Sequence, residues 1–270
     1  MNATGAILSR AALLSQIDAL TRLSVMHAGR TARERARAEL TREIKDAARR
    51  QLAQVGAGGL SLRAVARQLG MVSSALYRYF PSRDELLTAL IVDAYDALGV
   101  AAETANLTAA PDDFRNRWCA TCRAARTWAQ AHRHEYALIY GSPVPGYRAP
   151  RVTVGPAARL PLVLVGIVRE AWTAGTLTPA LAPTPLPPVL SDQIQNLSAA
   201  IAPALPDDIL TRALIAWTQL FGMISFELFG HLAGSVDPSA EFFDYAAGRM
   251  ADFVGLPPIR AGSGSPFRVR

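Results

Sequence analysis

The sequence predicts an all-α fold in two helical units, and three observations carry that prediction. Apolar residues recur at three- and four-residue spacing almost from end to end, and the β-branched alternation of strands is missing. Glycine and proline cluster at intervals that cut this pattern into helix-length segments. Half of the 270 residues are hydrophobic and only 19% are charged, which supplies a core and excludes wholesale disorder.

The first clear helix is expected over residues 32–55, where Leu40, Ile44, Ala47, Ala48, Leu52 and Val55 form one stripe. It should stop at the glycines of 56–59, because glycine supplies the left-handed conformations that end helices. Ser61 is the expected N-cap of a short helix ending at Leu69. Gly70 turns the chain, and Ser73 is expected to cap a second short helix that Pro81 closes after Phe80. Ser82 and Glu85 have capping-box spacing, so a long helix to about Ala105 should follow. Helices are expected from Pro111 to about Ala131 and over 134–140. Three prolines and two glycines make 141–150 a loop. Residues 154–174 return to helical spacing, with Pro161 a point where that helix could bend. Seven prolines make 176–206 an irregular excursion holding at most one short helix. The closing helices are expected over 207–232 and 238–254, the last with Asp237 as N-cap and Pro238 in its first turn.

Charge divides the chain more sharply than length does. Residues 30–83 hold twelve basic side chains against Glu34, Glu39, Glu43 and Asp46, a net of +8 in a chain whose total is +6. A basic segment beside a mildly acidic, apolar remainder predicts one unit facing a polyanion and another with a different task. The organisation expected is therefore an extension over 1–29, a basic, polyanion-facing unit over 30–83, a helical unit over 84–254 and a disordered tail over 255–270. Residues 1–25 read either as an over-extended frame before Met26 or as an amphipathic helix built on Ile7, Leu14, Ile17 and Leu20. The arginines of 30–37 are candidates for the minor groove or for phosphate contacts at a solvated helix start.

Two cysteines exclude a disulfide framework. The strongest apolar run, 213–226, falls short of the ~18–20 residues that cross a bilayer, and no secretory signal opens the chain. No membrane association and a cytoplasmic location are expected.

Residues 61–80 make the most specific statement. Leu62, Val65, Ala66 and Leu69 face inward on the first short helix, and Leu76 and Phe80 on the second. Small Ala66 and Gly70 at the turn permit the close crossing of a helix-turn-helix. Ser73, Ser74, Tyr77, Arg78 and Tyr79 are left outward, with Arg63 beside them, and these groups are long enough to reach base edges and phosphates in a major groove.

Residues 62–70 (LRAVARQLG) and 75–87 (ALYRYFPSRDELL) closely resemble the TetR family of bacterial transcriptional regulators. The second half is similar to one branch of it through 140–150 (YGSPVPGYRAP) and 217–231 (WTQLFGMISFELFGH). The resemblance implies an all-helical homodimer with an N-terminal three-helix DNA-binding unit and a C-terminal unit that dimerises and holds an inducer. It also implies a phosphate contact for Arg83, where relatives more often carry lysine, and a recognition-helix role for Tyr77. The residues ahead of the usual start and the proline-rich 176–206 stretch depart from the family's pattern.

Helix 207–232 is apolar nearly all round and must be covered on two sides. Trp217, Phe226, Phe229, Phe243 and Met250 are accordingly assigned to a four-helix dimer interface. Trp118, Trp128, Tyr140, Trp172 and Phe221, with Arg148 for an anionic head group, are candidates for an effector site, since indole and phenol tips suit one end of an amphipathic ligand. Core packing is the alternative for each.

Cys119 and Cys122 share a helical side. They read as small core residues, with a redox pair or a metal pair as alternatives, and His132-x-His134 lacks the spacing of a second zinc pair. Glu227 and His231, one turn apart, read as a polar contact at the interface or a pocket wall. No catalytic constellation, metal site or cofactor is expected. The reading is a dimeric repressor that leaves a palindromic operator on a double-stranded DNA when a small molecule binds. An effector-independent regulator or activator is the alternative, and a small-molecule-binding enzyme a remote one.

Overall fold

The computed structural model describes residues 10–178 and 185–256, with side chains from residue 31 onward. All regular elements among them are helical. Helix α1 (Arg10–Val55) ends at Gly56, whose φ of 69° requires glycine, and a single tight turn (Ala57–Gly59) leads to α2 (Leu62–Gln68) and α3 (Ser73–Tyr77). Helix α4 (Arg83–Thr108) connects this unit to α5 (Phe114–Ala131), α6 (Arg133–Tyr140), α7 (Val154–Thr173), α8 (Pro188–Ile201), α9 (Asp207–Leu228) and α10 (Ser239–Val254).

The caps explain most boundaries. Ser61 Oγ accepts from the Ala64 amide, Ser82 Oγ from the Glu85 amide at 3.1 Å, and Asp113 Oδ1 from the Asn116 amide at 2.9 Å. Each such cap contributes about 1 kcal/mol. Gly255, at φ 94°, closes α10 in the left-handed region.

Several boundaries differ from expectation. Helix α1 reaches back to Arg10, so the basic stretch 30–37 lies within a helix and not at its start. Val72, not Ser73, is the N-cap of α3, and Pro238, not Asp237, that of α10. Helix α9 stops at Leu228, where the chain turns through Gly230 at φ 81°. The proline-rich excursion contains the 14-residue α8, because Pro187 and Pro188 sit at its start, where a missing N–H costs nothing. Helix α7 runs through Pro161. The tail expected to be disordered lies, beyond Leu256, outside the described residues.

Two cores form. The smaller joins Ile44, Ala47, Ala48 and Leu52 of α1 to Leu62, Val65 and Ala66 of α2, Leu76 of α3 and Leu86, Leu87 and Leu90 of α4. The larger begins at Ala94 on the same α4 and gathers α5, α6, α7, α8, α9 and α10 around Trp118, Tyr136, Leu164 and Leu210. Helix α4 therefore belongs to both. Helices α7 and α9 are long and apolar enough to cross a membrane by composition, and both contribute buried residues to this larger core.

Candidate nucleic-acid interface

Helices α2 and α3 cross through the buried Leu62, Val65, Ala66 and Leu76, and the chain between them turns at Gly70 with φ 66°. No Cβ is tolerated there without backbone strain. Burial of that inner side leaves Arg63, Arg67, Ser74, Tyr77 and Arg78 exposed, and Ser73 half-buried at the start of α3. Tyr77 stands 41% exposed. Tyr79 leans on the small core, and the guanidinium of Arg37 from α1 lies over its ring at 5.1 Å. This cation–π contact ties the basic end of α1 to the recognition unit. The sequence reading missed Arg67, although helical spacing from Arg63 places it one turn on along the same helix.

Arg83 is a correction. The phosphate-facing side chain expected at the start of α4 turns inward: its Nε donates to Leu60 O at 3.2 Å and its Nη2 to Ala57 O at 2.7 Å and Gly58 O at 3.3 Å. Its remaining nitrogen lies 3.7 Å from Asp84. Arg83 thus donates to three carbonyls of the turn after α1, of which Ala57 O also accepts the Leu60 amide at 3.4 Å, and pins that turn to α4.

A second arginine joins the two units. Arg49 donates to Asp46 at 2.7 Å, to Asp93 of α4 at 2.6 Å and to Glu135 of α6 at 3.0 Å, while Lys45 also meets Asp93. These carboxylates hold the Arg49 guanidinium above its ordinary pKa against the opposing effect of its own burial.

This interface has the form of a helix-turn-helix on a basic three-helix unit, and sequence comparison decides its family. Residues 44–90 match the bacterial regulatory proteins of the tetR family, and residues 118–250 match the tetracyclin repressor-like C-terminal domain. The HTH-type transcriptional regulator Rv1816 of Mycobacterium tuberculosis is 40% identical over 219 residues, covering 78% of this chain and 90% of that protein. The chain belongs to the tetR family. The regulator Mb1846 of Mycobacterium bovis is similar to the same degree. Among solved structures, SCO4313 superimposes with a TM-score of 0.67 at 35% identity, over 80% of this chain and 97% of the other. A protein of unknown function from Rhodococcus sp. RHA1 gives 0.60 at 26% identity, over 82% and 96%. Like its curated relatives, this TetR-family chain is a DNA-binding transcriptional regulator and not an enzyme.

The effector candidates of this regulator do not converge. Trp118 is fully buried and Trp128 and Phe221 nearly so, while Tyr140 stacks on Phe221 with ring centroids 3.9 Å apart. Trp172 is 40% exposed on α7 and Arg148 is exposed on the loop, so neither joins that cluster. Desolvation pushes the Tyr140 phenol well above its usual range, and Tyr136, pushed up to about 12, donates to Phe221 O at 3.1 Å. The indole N–H groups of Trp118, Trp128 and Trp217 are buried without an acceptor among the described residues. The proline-stiffened loop does wall a cavity, of about 600 Å³, but it opens between α6 and the turn after α1.

The interface candidates divide. Phe226 and Phe229 are exposed and Trp217 is half-buried, whereas Phe243, at 2% exposure, and Met250 belong to the chain's own core. Ile215 of α9 and Phe242 and Tyr245 of α10 are also outward, and these three line a shallow groove of about 370 Å³. A shift of one residue along α10 exchanges Phe243 for Phe242, and this register the sequence pattern did not resolve.

Glu227 is held inside the chain. It accepts both Nε and Nη2 of Arg126 at 2.7 and 2.6 Å, Gln130 at 2.8 Å and Ser239 Oγ at 2.8 Å, and these donors depress its pKa. His231 packs against the Phe226 ring instead. Cys119 and Cys122 are buried with burial raising both thiol pKa values, which is the behaviour of core cysteines.

Proposed function

We propose that the chain acts as a cytoplasmic homodimeric repressor whose two helix-turn-helix units bind a palindromic operator, released by an apolar or amphipathic small molecule. The observation that carries the DNA reading is the outer side of a unit of net +8, where Arg63, Ser74, Tyr77 and Arg78 are exposed, Ser73 and Tyr79 are half-buried beside them, and Arg37 and Arg67 join the set. Tyr77, Ser74 and Arg78 point away from the core where a major groove would lie. Arg63 and Arg67 flank them as phosphate contacts.

A second copy of the chain is the proposed occupant of the α9–α10 face. Ile215, Phe226, Phe242 and Tyr245 are exposed along two adjacent helices, and pairing them about a two-fold axis makes a four-helix interface. Phe243 and Met250 support that face from beneath.

The closed packing of Trp118, Trp128, Tyr140 and Phe221 favours a second reading, a regulator that needs no effector. Their unsatisfied indole donors favour the first, because each buried N–H without a partner costs about 1–3 kcal/mol that a ligand's acceptor would recover. Footprinting the purified protein on the DNA flanking its own gene tests the regulator reading. A protected palindrome, lost steeply with salt, is expected; uniform weak binding to every duplex would overturn it.

A further inference from the structure

We infer that the cavity of about 600 Å³ between the DNA-binding unit and the C-terminal unit is a binding site for an uncharged, largely apolar small molecule whose occupancy weakens operator binding. The inference rests on the regulator reading and adds a site, with its ligand chemistry, that is separate from the Trp118, Trp128, Tyr140 and Phe221 cluster.

The walls come from both units. Leu52 of α1 and residues 56–58 form one side. Helix α6, residues 141–145 and Phe229 form the other. Not one lining residue is Asp, Glu, Lys or Arg, in a chain where nearly a fifth of residues are charged. A charged ligand would find no counter-ion there, and its desolvation would go uncompensated. Phe229 is 48% exposed and offers an open ring face. His134 and Ser142 are the polar side chains of the lining, and neither has a hydrogen-bond partner among the described residues. An apolar body with one hydroxyl, carbonyl or amide at its end fits that combination, and the volume lies within the ordinary range of ligand pockets.

The two walls differ in how they are held. Helix α6 is fixed to the larger core by Tyr136, which bonds Phe221 O and Ser225 Oγ, whereas the loop after it is tied to α4 by Tyr147, whose hydroxyl meets Thr88 at 2.9 Å, and with Leu138 and Val144 packs on the smaller core. Gly141 permits the abrupt exit from α6, since a Cβ there would lie 2.3 Å from Ala137 O. The opposite wall is the turn whose Ala57 and Gly58 carbonyls Arg83 holds. A ligand wedged between them sets the separation of the 56–58 turn from α6, and through Arg83 and Arg49 the tilt of the recognition unit on the body. If that tilt is not the one two successive major grooves demand, ligand and operator exclude each other, and the coupling is reciprocal.

The test uses the neutral fluorescent amine N-phenyl-1-naphthylamine on the full-length protein, with operator DNA taken from the footprint. Ser142→Trp, at an exposed loop position, fills the cavity mouth without touching either core; Ala137→Trp fills it from α6. Dye fluorescence should rise saturably with the parent, and saturating dye should raise the operator Kd by at least ~5-fold. Ser142→Trp should abolish both effects while its dye-free operator Kd stays within about twofold of the parent's, a margin under about 0.4 kcal/mol. Dye binding unchanged in both variants, or dye displaced by them yet without effect on operator Kd, overturns the proposal, as does tighter operator binding with dye. Should the dye-free parent bind no duplex, the regulator reading falls, and with it the coupling; the dye titration still decides whether the site exists.

Discussion

The two outward faces of this chain are built from the same kind of helix and present opposite chemistry. On α2 and α3 the buried side is Leu62, Val65, Ala66 and Leu76 and the outer side is arginine, serine and tyrosine. On α9 and α10 the buried side is equally apolar, yet Ile215, Phe226, Phe242 and Tyr245 remain outside. Core packing cannot tell these faces apart. Hydrogen-bonding and cationic groups gain nothing from a second apolar surface and much from a polyanion, while exposed aromatics gain only when water is removed from them. The difference teaches that the solvent-facing side of each helix pair, read against its own core, assigns the partner.

The sharpest way to break the comparison is to place a charge on each layer of α10. Phe243→Asp buries an unpaired carboxylate in the core and should cost more than about 3 kcal/mol, giving insoluble or unfolded protein by circular dichroism. Tyr245→Asp, at a residue 68% exposed, should leave a folded chain that sediments as a monomer. A dimer that persists in Tyr245→Asp would move the interface elsewhere.

On the other face, Tyr77→Ala should cost about 1–3 kcal/mol on the operator and much less on random duplex, measured by fluorescence anisotropy. Equal losses on both would make Tyr77 a phosphate contact only.

Arg83 and Arg67 sharpen the division between positioning and contact. Arg83→Ala removes the side-chain donor from three turn carbonyls, of which only Ala57 O keeps a backbone amide, and should lower thermal stability by about 1–2 kcal/mol, with the slope of log K against log salt unchanged. Arg67→Ala should do the reverse, lowering the salt slope by about 1 without a shift in melting temperature. A reduced slope in Arg83→Ala would restore the phosphate role that the family resemblance implied.

The smallest expected effect concerns pH. Arg126, then Ser239 and Gln130, depress the Glu227 pKa below its ordinary 4.5, so the stability this carboxylate contributes is complete above that value. It is lost as pH falls from 4.5 through the depressed folded value. The parent should lose a few degrees more of melting temperature than Glu227→Gln between pH 7 and pH 3.5, on the scale of ~2–4 °C per kcal/mol.

The fold class, the helix-turn-helix and its outward residues were legible in the sequence because they depend on spacing. Leu62, Val65 and Ala66 must share a side of any helix that contains them, and Ser82 with Glu85 announces α4 whatever packs beside it. Charge segregation is likewise a property of the chain, and it sets residues 30–83 apart from the rest whatever the packing. Tertiary structure alone decided the rest. Whether Arg83 reaches outward or back to Ala57 and Gly58 depends on where the preceding turn lies, which no local pattern records. The choice between Phe242 and Phe243 as the outer residue turns on the rotation of α10 against α9. Trp118 and Trp172 have the same side chain, and the first is core while the second is surface, because α5 is enclosed by α4, α7, α9 and α10 and the end of α7 is not. The cavity beside His134 exists only because two segments some eighty residues apart, each unremarkable in sequence, end at the same place without filling it.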